Sequence, residues 1–184
     1  MGKLILALAT GLIGAAIVHI AVIFLMPAVA QDSAWNKLAR LSPPEVTVTI
    51  DTGPQSAFAL MDPAFRVSAC RFDLTDGPIR VEAAAQPAFW SASVFSRAGD
   101  NLYSINQRAA LDDRLDLVIG TQAQFEALRI GGEFEEGASI FVPFDASEGY
   151  ALLRGLVESP SLAPLMDSFV QTLRCTAIPL PDPQ

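Results

Sequence analysis

The side chains of this 184-residue chain that could do chemistry are one histidine, two cysteines and twenty carboxylates. His19 lies within the apolar run LILALATGLIGAAIVHIAVIFLM, residues 4–26. No Ser-His-Asp or Cys-His arrangement can therefore form in the rest of the chain. There is no Gly-x-Ser-x-Gly elbow, phosphate-cradling loop or dinucleotide fingerprint, and Gly11-x-x-Gly14 lies inside the same hydrophobic run. Two cysteines without a second histidine fall short of a structural zinc set. Asp112, Asp113 and Asp116 come nearest to a calcium site, but they lack the spacing and glycine of an EF-hand loop and read as a solvated turn. Glu133, Glu135 and Glu136 read as a solvated loop. Carboxylate pairs of the glycosidase type are too numerous for sequence to single one out. The residues imply no cofactor and no metal, and they lean against an enzyme.

The clearest set for recognition is Trp90, Tyr103, Asn106 and Arg108. Aromatic faces beside amide and cationic groups suit sugar or peptide binding, and Arg108 could hold a carboxylate. The plainer reading puts Trp90 in the core, half-buries Tyr103 and pairs Arg108 with Asp112 or Asp113. Cys70 and Cys175 read as one disulfide if the domain is exported, and otherwise as two buried thiols. The bond would close a loop of roughly a hundred residues, worth about 4–5 kcal/mol in the chain-entropy account.

Lys3 is the only basic residue before Met26, and all twenty acids follow it. The remainder carries eleven basic and twenty acidic groups, a formal charge of −9. With no basic stripe, nucleic acid is excluded as a partner. The apolar run is long enough to span a bilayer as a helix, which makes lipid the first expected partner. Ala28-Val29-Ala30 has the small-x-small form of a signal peptidase site, so cleavage at Ala30 to a secreted soluble protein stays open beside an uncleaved anchor. Ala7, Gly11 and Ala15 recur every fourth residue and His19 continues the row. That spacing lets two helix backbones approach, so self-association or an envelope protein partner is the second expectation.

The elements that must position these groups are mostly strands. VTVTI (46–50), CRFDL (70–74), IRVEA (79–83), FWSASVF (89–95), NLYSIN (101–106), LDLVI (115–119), SIFVPF (139–144) and YALLRGLV (150–157) each read as one. Asp76-Gly77 between alternating runs predicts a first hairpin, with Pro78 at a strand start or edge. SRAGD (96–100) predicts a second, with Gly99 supplying a positive φ. Thr121 caps a helix over 122–129 that stops at Gly131-Gly132. Leu165, Phe169, Val170 and Leu173 form the stripe of a second helix that reaches Cys175. The fold class expected is mainly β, an antiparallel β-sandwich or jelly-roll-like domain with one or two peripheral helices behind a single N-terminal transmembrane helix. The boundaries are 1–30 for the anchor or signal, 31–44 for a stalk, 45–176 for the β-rich domain and 177–184 for a tail. Trp35, in the stalk, fits either a membrane interface or packing on the domain.

The run CRFDLTDGPIRVEA, then FWSASVFSRAGDNLYSINQR, then LDLVIGTQAQFEAL resembles a bacterial family of proteins known as domain of unknown function twelve fifty-four. The resemblance covers the chain from the apolar helix to about Cys175. Its most specific parts are the DGP turn and the FWS…NLYSIN hairpin. It implies a short membrane protein that begins with a hydrophobic helix, and it carries no catalytic residue or cofactor; the short N-terminal tail, the signal-like helix and the cysteine pair add the expectation of a single pass through the bacterial inner membrane with the C-terminal domain in the periplasm. The function expected is a non-enzymatic envelope binding or interaction module. The alternative is a carboxylate-based enzyme or small-ligand-binding domain.

Overall fold

The structure is a computed structural model that describes residues 2–29, 33–58, 61–86, 88–132, 134 and 137–180. It divides into two compact units, Met1–Ser33 and Ala34–Gln184. In the first, helix α1 (Gly2–Val29) holds a 25-residue stretch, Gly2–Met26, long and apolar enough to cross a membrane. A signal sequence fits the same description, and the cleavage position Ala30 lies outside the described residues. The Thr10 hydroxyl donates to the Leu6 carbonyl, so the helix satisfies its one hydroxyl internally. A side chain added at Gly11 would meet open space.

The second unit runs α2 (Ala34–Ala39), β1 (Val48–Ile50), β2 (Phe65–Asp73), β3 (Ile79–Ala83), β4 (Trp90–Ser96), β5 (Asn101–Asn106), β6 (Leu115–Gly120), α3 (Gln122–Gly131), β7 (Ile140–Pro143), β8 (Glu148–Leu156), α4 (Ala163–Val170) and β9 (Arg174–Ala177). Its strands form two sheets, β1-β2-β8-β4-β5 and β7-β6-β3-β9. Every pairing is antiparallel except β6 with β7, which α3 joins as a crossover. Alternation places Phe72, Trp90, Val94 and Leu153 of the first sheet against Val81, Leu117 and Ile119 of the second in one core. The fold is the expected β-rich sandwich of two sheets, preceded by a single apolar helix.

Four expectations need correction. The Asp76-Gly77 turn closes no hairpin, because β2 and β3 belong to different sheets and the turn carries the chain from one layer to the other. Gly77 is required there: its φ is 154°, and an added Cβ would stand 2.7 Å from the Ile178 carbonyl oxygen. Strand β2 has nine residues rather than five, since Val67 and Ala69 are buried on the face opposite Cys70 and Phe72, which erases the alternation that marks a half-buried strand. The last helix stops at Val170, and Arg174–Ala177 instead pairs with β3. Along that helix Met166, not Leu165, faces the core.

Residues 34–39, within the segment expected as a stalk, are packed into the second unit. Trp35 and Leu38 are buried with Ile50, Val67, Ala69 and Tyr150 on the outer face of the first sheet. Trp35 thus takes the packing role rather than the interfacial one. The guanidiniums of Arg71 and Arg97 lie over its ring, 4.8 and 5.6 Å from the centroid. Such contacts contribute roughly 0.5–2 kcal/mol each, the larger figure where the cation is desolvated. Burial pushes Arg71 below the usual guanidinium range, with Glu148 pulling the other way.

Several local signals hold as read. The β4–β5 hairpin forms, with Gly99 at φ 99° and a bulge between Val94 and Phe95. Thr121 caps α3 in a reciprocal box with Gln124, and Gly132 ends the helix in the left-handed region. Cys70 and Cys175 form a disulfide that crosses from β2 to β9, tying the two sheets together through the core.

Candidate functional site

The residues singled out for recognition do not share one surface. Trp90 is fully buried in the core beside Phe169, with ring centroids 6.2 Å apart. Tyr103 packs against the same core from β5. Asn106 points to the opposite face of that strand, and its side chain caps the short 3-10 turn Gln107–Ala109 by accepting from the Arg108 backbone amide. Arg108 is exposed and makes no ion pair with Asp112 or Asp113 among the described residues. Asp112 and Asp113 sit in an exposed turn with φ of 52° and 56°. Asp116, grouped with them in the sequence, is separated from both: it is buried in β6. Glu133, Glu135 and Glu136 lie outside the described residues.

Charged groups converge on the outer face of the second sheet. Alternation sends Ile79, Val81 and Ala83 of β3 inward, so Arg80 and Glu82 face out. By the same parity Asp116 of β6 and Arg174 of β9 share that face. Glu82 is the register partner of both. Arg114 precedes β6 with the same parity. Over the β6–β7 half of the sheet the face is covered, since Phe125 of α3 stacks on Phe141 of β7 at 4.1 Å. The remaining half is a groove of about 490 Å³, with Arg80, Glu82, Arg114, Asp116, Thr172 and Arg174 among its walls.

Its floor is a fixed ion pair. Arg80 Nε donates to Asp116 Oδ1 at 2.9 Å and Nη2 to Oδ2 at 2.5 Å, so both carboxylate oxygens are engaged. The Asp116 side chain is only 5% exposed, so a bidentate partner is what makes its burial tolerable. Hydrogen bonding to Asp116 raises Arg80 above the usual guanidinium range. Ser139 Oγ takes a further bond from Arg80 Nη2, and Glu82 approaches Arg80 Nε only to 3.6 Å. At the rim, Arg174 donates to the Gln171 and Leu173 carbonyls. Neither Arg174 nor Arg114 makes an ion pair among the described residues. Three guanidiniums against two carboxylates make this a cationic spot on a domain of strongly negative charge.

No local pattern in the sequence marks this groove as a site. One signal was available: Asp116 interrupts the apolar strand LDLVI, and a charge at such a position needs a buried partner. That the partner is Arg80, 36 residues away, only the sheet register decides.

No family model matches this chain, and no curated protein sequence matches it. Among solved structures it is similar to the VPA0106 protein from Vibrio parahaemolyticus, at 11% identity and a TM-score of 0.58 over 83% of this chain. It is also similar to an uncharacterized protein from Burkholderia cenocepacia, at 11% identity and a TM-score of 0.47 over 72% of this chain. The chain spans 38% and 34% of the length of those two proteins. At this identity the likeness to the first is one of fold alone.

Proposed function

We propose that this protein is a non-enzymatic binding module of the bacterial envelope, held in the inner membrane by α1 with its β domain in the periplasm, and that the groove on the second sheet binds an anionic ligand. The observation that carries the binding role is the pair Arg114 and Arg174, two cations beside a floor whose own charges, Arg80 and Asp116, already neutralise each other. The disulfide supports export, because such bonds persist in oxidising compartments. Membership in the family of domain of unknown function twelve fifty-four is part of the same reading. The segments that carry that resemblance form β2 to β3, the β4–β5 hairpin and β6 to α3.

A carboxylate-based enzyme fits the groove less well. Its buried acid would be Asp116, whose two oxygens both accept from Arg80, an arrangement that anchors a sheet rather than moves a proton. Thermal unfolding of the full chain in detergent micelles tests the binding role, with citrate added at constant ionic strength. Citrate at about a hundred times its Kd is expected to stabilise the wild type by about 2.7 kcal/mol. The Arg114→Met/Arg174→Met double variant should show no such gain. Equal response of the two proteins would refute the groove as the binding site.

A further inference from the structure

We propose that the outer face of the first sheet carries a second binding site, separate from the groove, for an acidic sugar whose carboxylate meets Arg154. That face is covered only in part. Trp35 and Leu38 close it over β1, β2 and Tyr150 of β8, with Phe95 and Leu152 at the margin. Beyond the margin, alternation turns Arg154 of β8, Ser91 and Ser93 of β4, and Ser104 and Asn106 of β5 outward, away from the core positions Leu153, Ala92 and Ile105. The register sets Arg154, Ser91 and Asn106 in one row and Leu152, Ser93 and Ser104 in the next.

Arg154 is the only ionisable group at these strand positions, and it makes no ion pair among the described residues. Glu148, the acid of its own strand, lies six residues away, about 20 Å, and pairs with Arg97. Glu158, past the strand end, lines a separate recess with Pro63 and Pro160. At the edge of the face the backbone amide of exposed Arg108 donates to Asn106 Oδ1 at 3.0 Å, so the neighbouring charge is another cation rather than an acid. At about 0.15 M salt, charges more than about 8 Å away are largely screened, so the local excess of cation outweighs the acidity of the whole domain.

The groups around Arg154 are short of acceptors. Its Nη2 donates to Ser93 Oγ at 3.2 Å, and Ser104 Oγ donates to the same atom at 3.0 Å. Ser93 is 3% exposed, and no group among the described residues accepts its own hydrogen. Arg154 Nε is buried without a partner, and Nη1 has none among the described residues. A guanidinium has only donors, so its complement is an oxyanion, and a carboxylate makes the stronger, charge-assisted bond. Around it Ser91, Ser104, Asn101 and Asn106 bear hydroxyls and amides that both donate and accept, as the hydroxyls of a sugar ring require. Asn101 Nδ2 donates to Ser104 Oγ at 2.9 Å, which ties this part of the face to the Ser93 and Arg154 network. A plain alkyl carboxylate would leave these groups to water.

Isothermal titration of the full chain, in micelles of a detergent without a sugar headgroup and at constant ionic strength, tests this. The Arg114→Met/Arg174→Met protein is the background, because it lacks the rim cations of the groove. Trigalacturonate should bind that protein roughly tenfold tighter than galactotriose, which lacks the carboxylates, or pentanedioate, which lacks the ring hydroxyls. Adding Arg154→Met should weaken trigalacturonate roughly ten- to a hundredfold. Arg154→Lys keeps the charge but not the forked donor and should lose a smaller part, and it carries the test if the methionine variant has a lowered unfolding midpoint. No binding of trigalacturonate by the background protein, or an affinity that neither Arg154 variant changes, overturns this inference. Equal affinity for pentanedioate would make the site one for any anion, and equal affinity for galactotriose one for neutral sugars, and either result overturns the acidic-sugar assignment. The citrate response of the groove is read separately, so the two sites stand or fall independently.

Discussion

Replacing both Cys70 and Cys175 by alanine should lower the stability of the β domain by about 4.8 kcal/mol. The figure follows from the 105 residues that separate the two cysteines. The chain-entropy relation gives a loss of roughly 16 cal/mol/K from the unfolded state at that loop length, which at 25 °C is about 4.8 kcal/mol. The unit Ala34–Gln184 has about 150 residues, so its unfolding entropy at about 2.1 cal/mol/K per residue is on the order of 0.32 kcal/mol/K. The expected drop in Tm is then about 15 °C. The bond joins β2 of one sheet to β9 of the other, and β9 is only four residues long, so the closing strand of the second sheet should loosen first. The assay is thermal unfolding of the full chain in micelles, followed by near-ultraviolet circular dichroism, with the intact mass taken without reductant. Wild type purified from washed membranes should have its full-length mass less both thiol protons. A double variant that melts within about 3 °C of wild type would falsify the account of the bond as the main constraint on the unfolded chain. Two free thiols in the wild type would remove the premise itself, and with it the chief support for export.

Four further outcomes are expected. Trp35→Ala should cost about 3–5 kcal/mol in urea unfolding, because the ring is 6% exposed and carries α2 onto the first sheet; a loss under about 1 kcal/mol would return residues 34–39 to the status of a loose stalk. Gly149→Ala should cost about 1–3 kcal/mol by the same measurement, since its Cβ would lie 2.5 Å from Phe144, 2.6 Å from the Phe95 carbonyl oxygen and 2.7 Å from Phe72; an unchanged midpoint would mean that the core has room the structure does not show. Burial raises the Tyr150 phenol above its usual range, so the unfolded state ionises first; this stability is present below about pH 10 and is lost as pH rises further, so urea midpoints of wild type and Tyr150→Phe should diverge only above about pH 10, and parallel profiles would refute it. Gly11→Leu should weaken self-association in a membrane crosslinking assay, and unchanged crosslinking would remove the helix-pairing proposal for the Ala7, Gly11, Ala15 and His19 row.

The sequence by itself determined whatever depends on neighbours along the chain. The unbroken apolar run of residues 4–26, the Thr121 cap with its Gly132 stop, the β4–β5 hairpin and the shared face of Trp90, Ala92 and Val94 all follow from composition, periods and turn chemistry within short stretches of chain. Tertiary structure alone decided which sheet each strand joins. Asp76-Gly77 reads locally as a hairpin, yet the two strands it separates find partners far along the chain, β8 for one and β6 with β9 for the other. The same holds for Arg174–Ala177, whose sequence continues a helical stripe but which the bond to Cys70 and the pairing with β3 hold extended. The groove is likewise non-local: Arg80, Asp116 and Arg174 come from three strands, and only their register places them on one face. Propensity is a local and weak energy, whereas pairing a strand and satisfying a buried charge are long-range and large, so the latter win where they conflict.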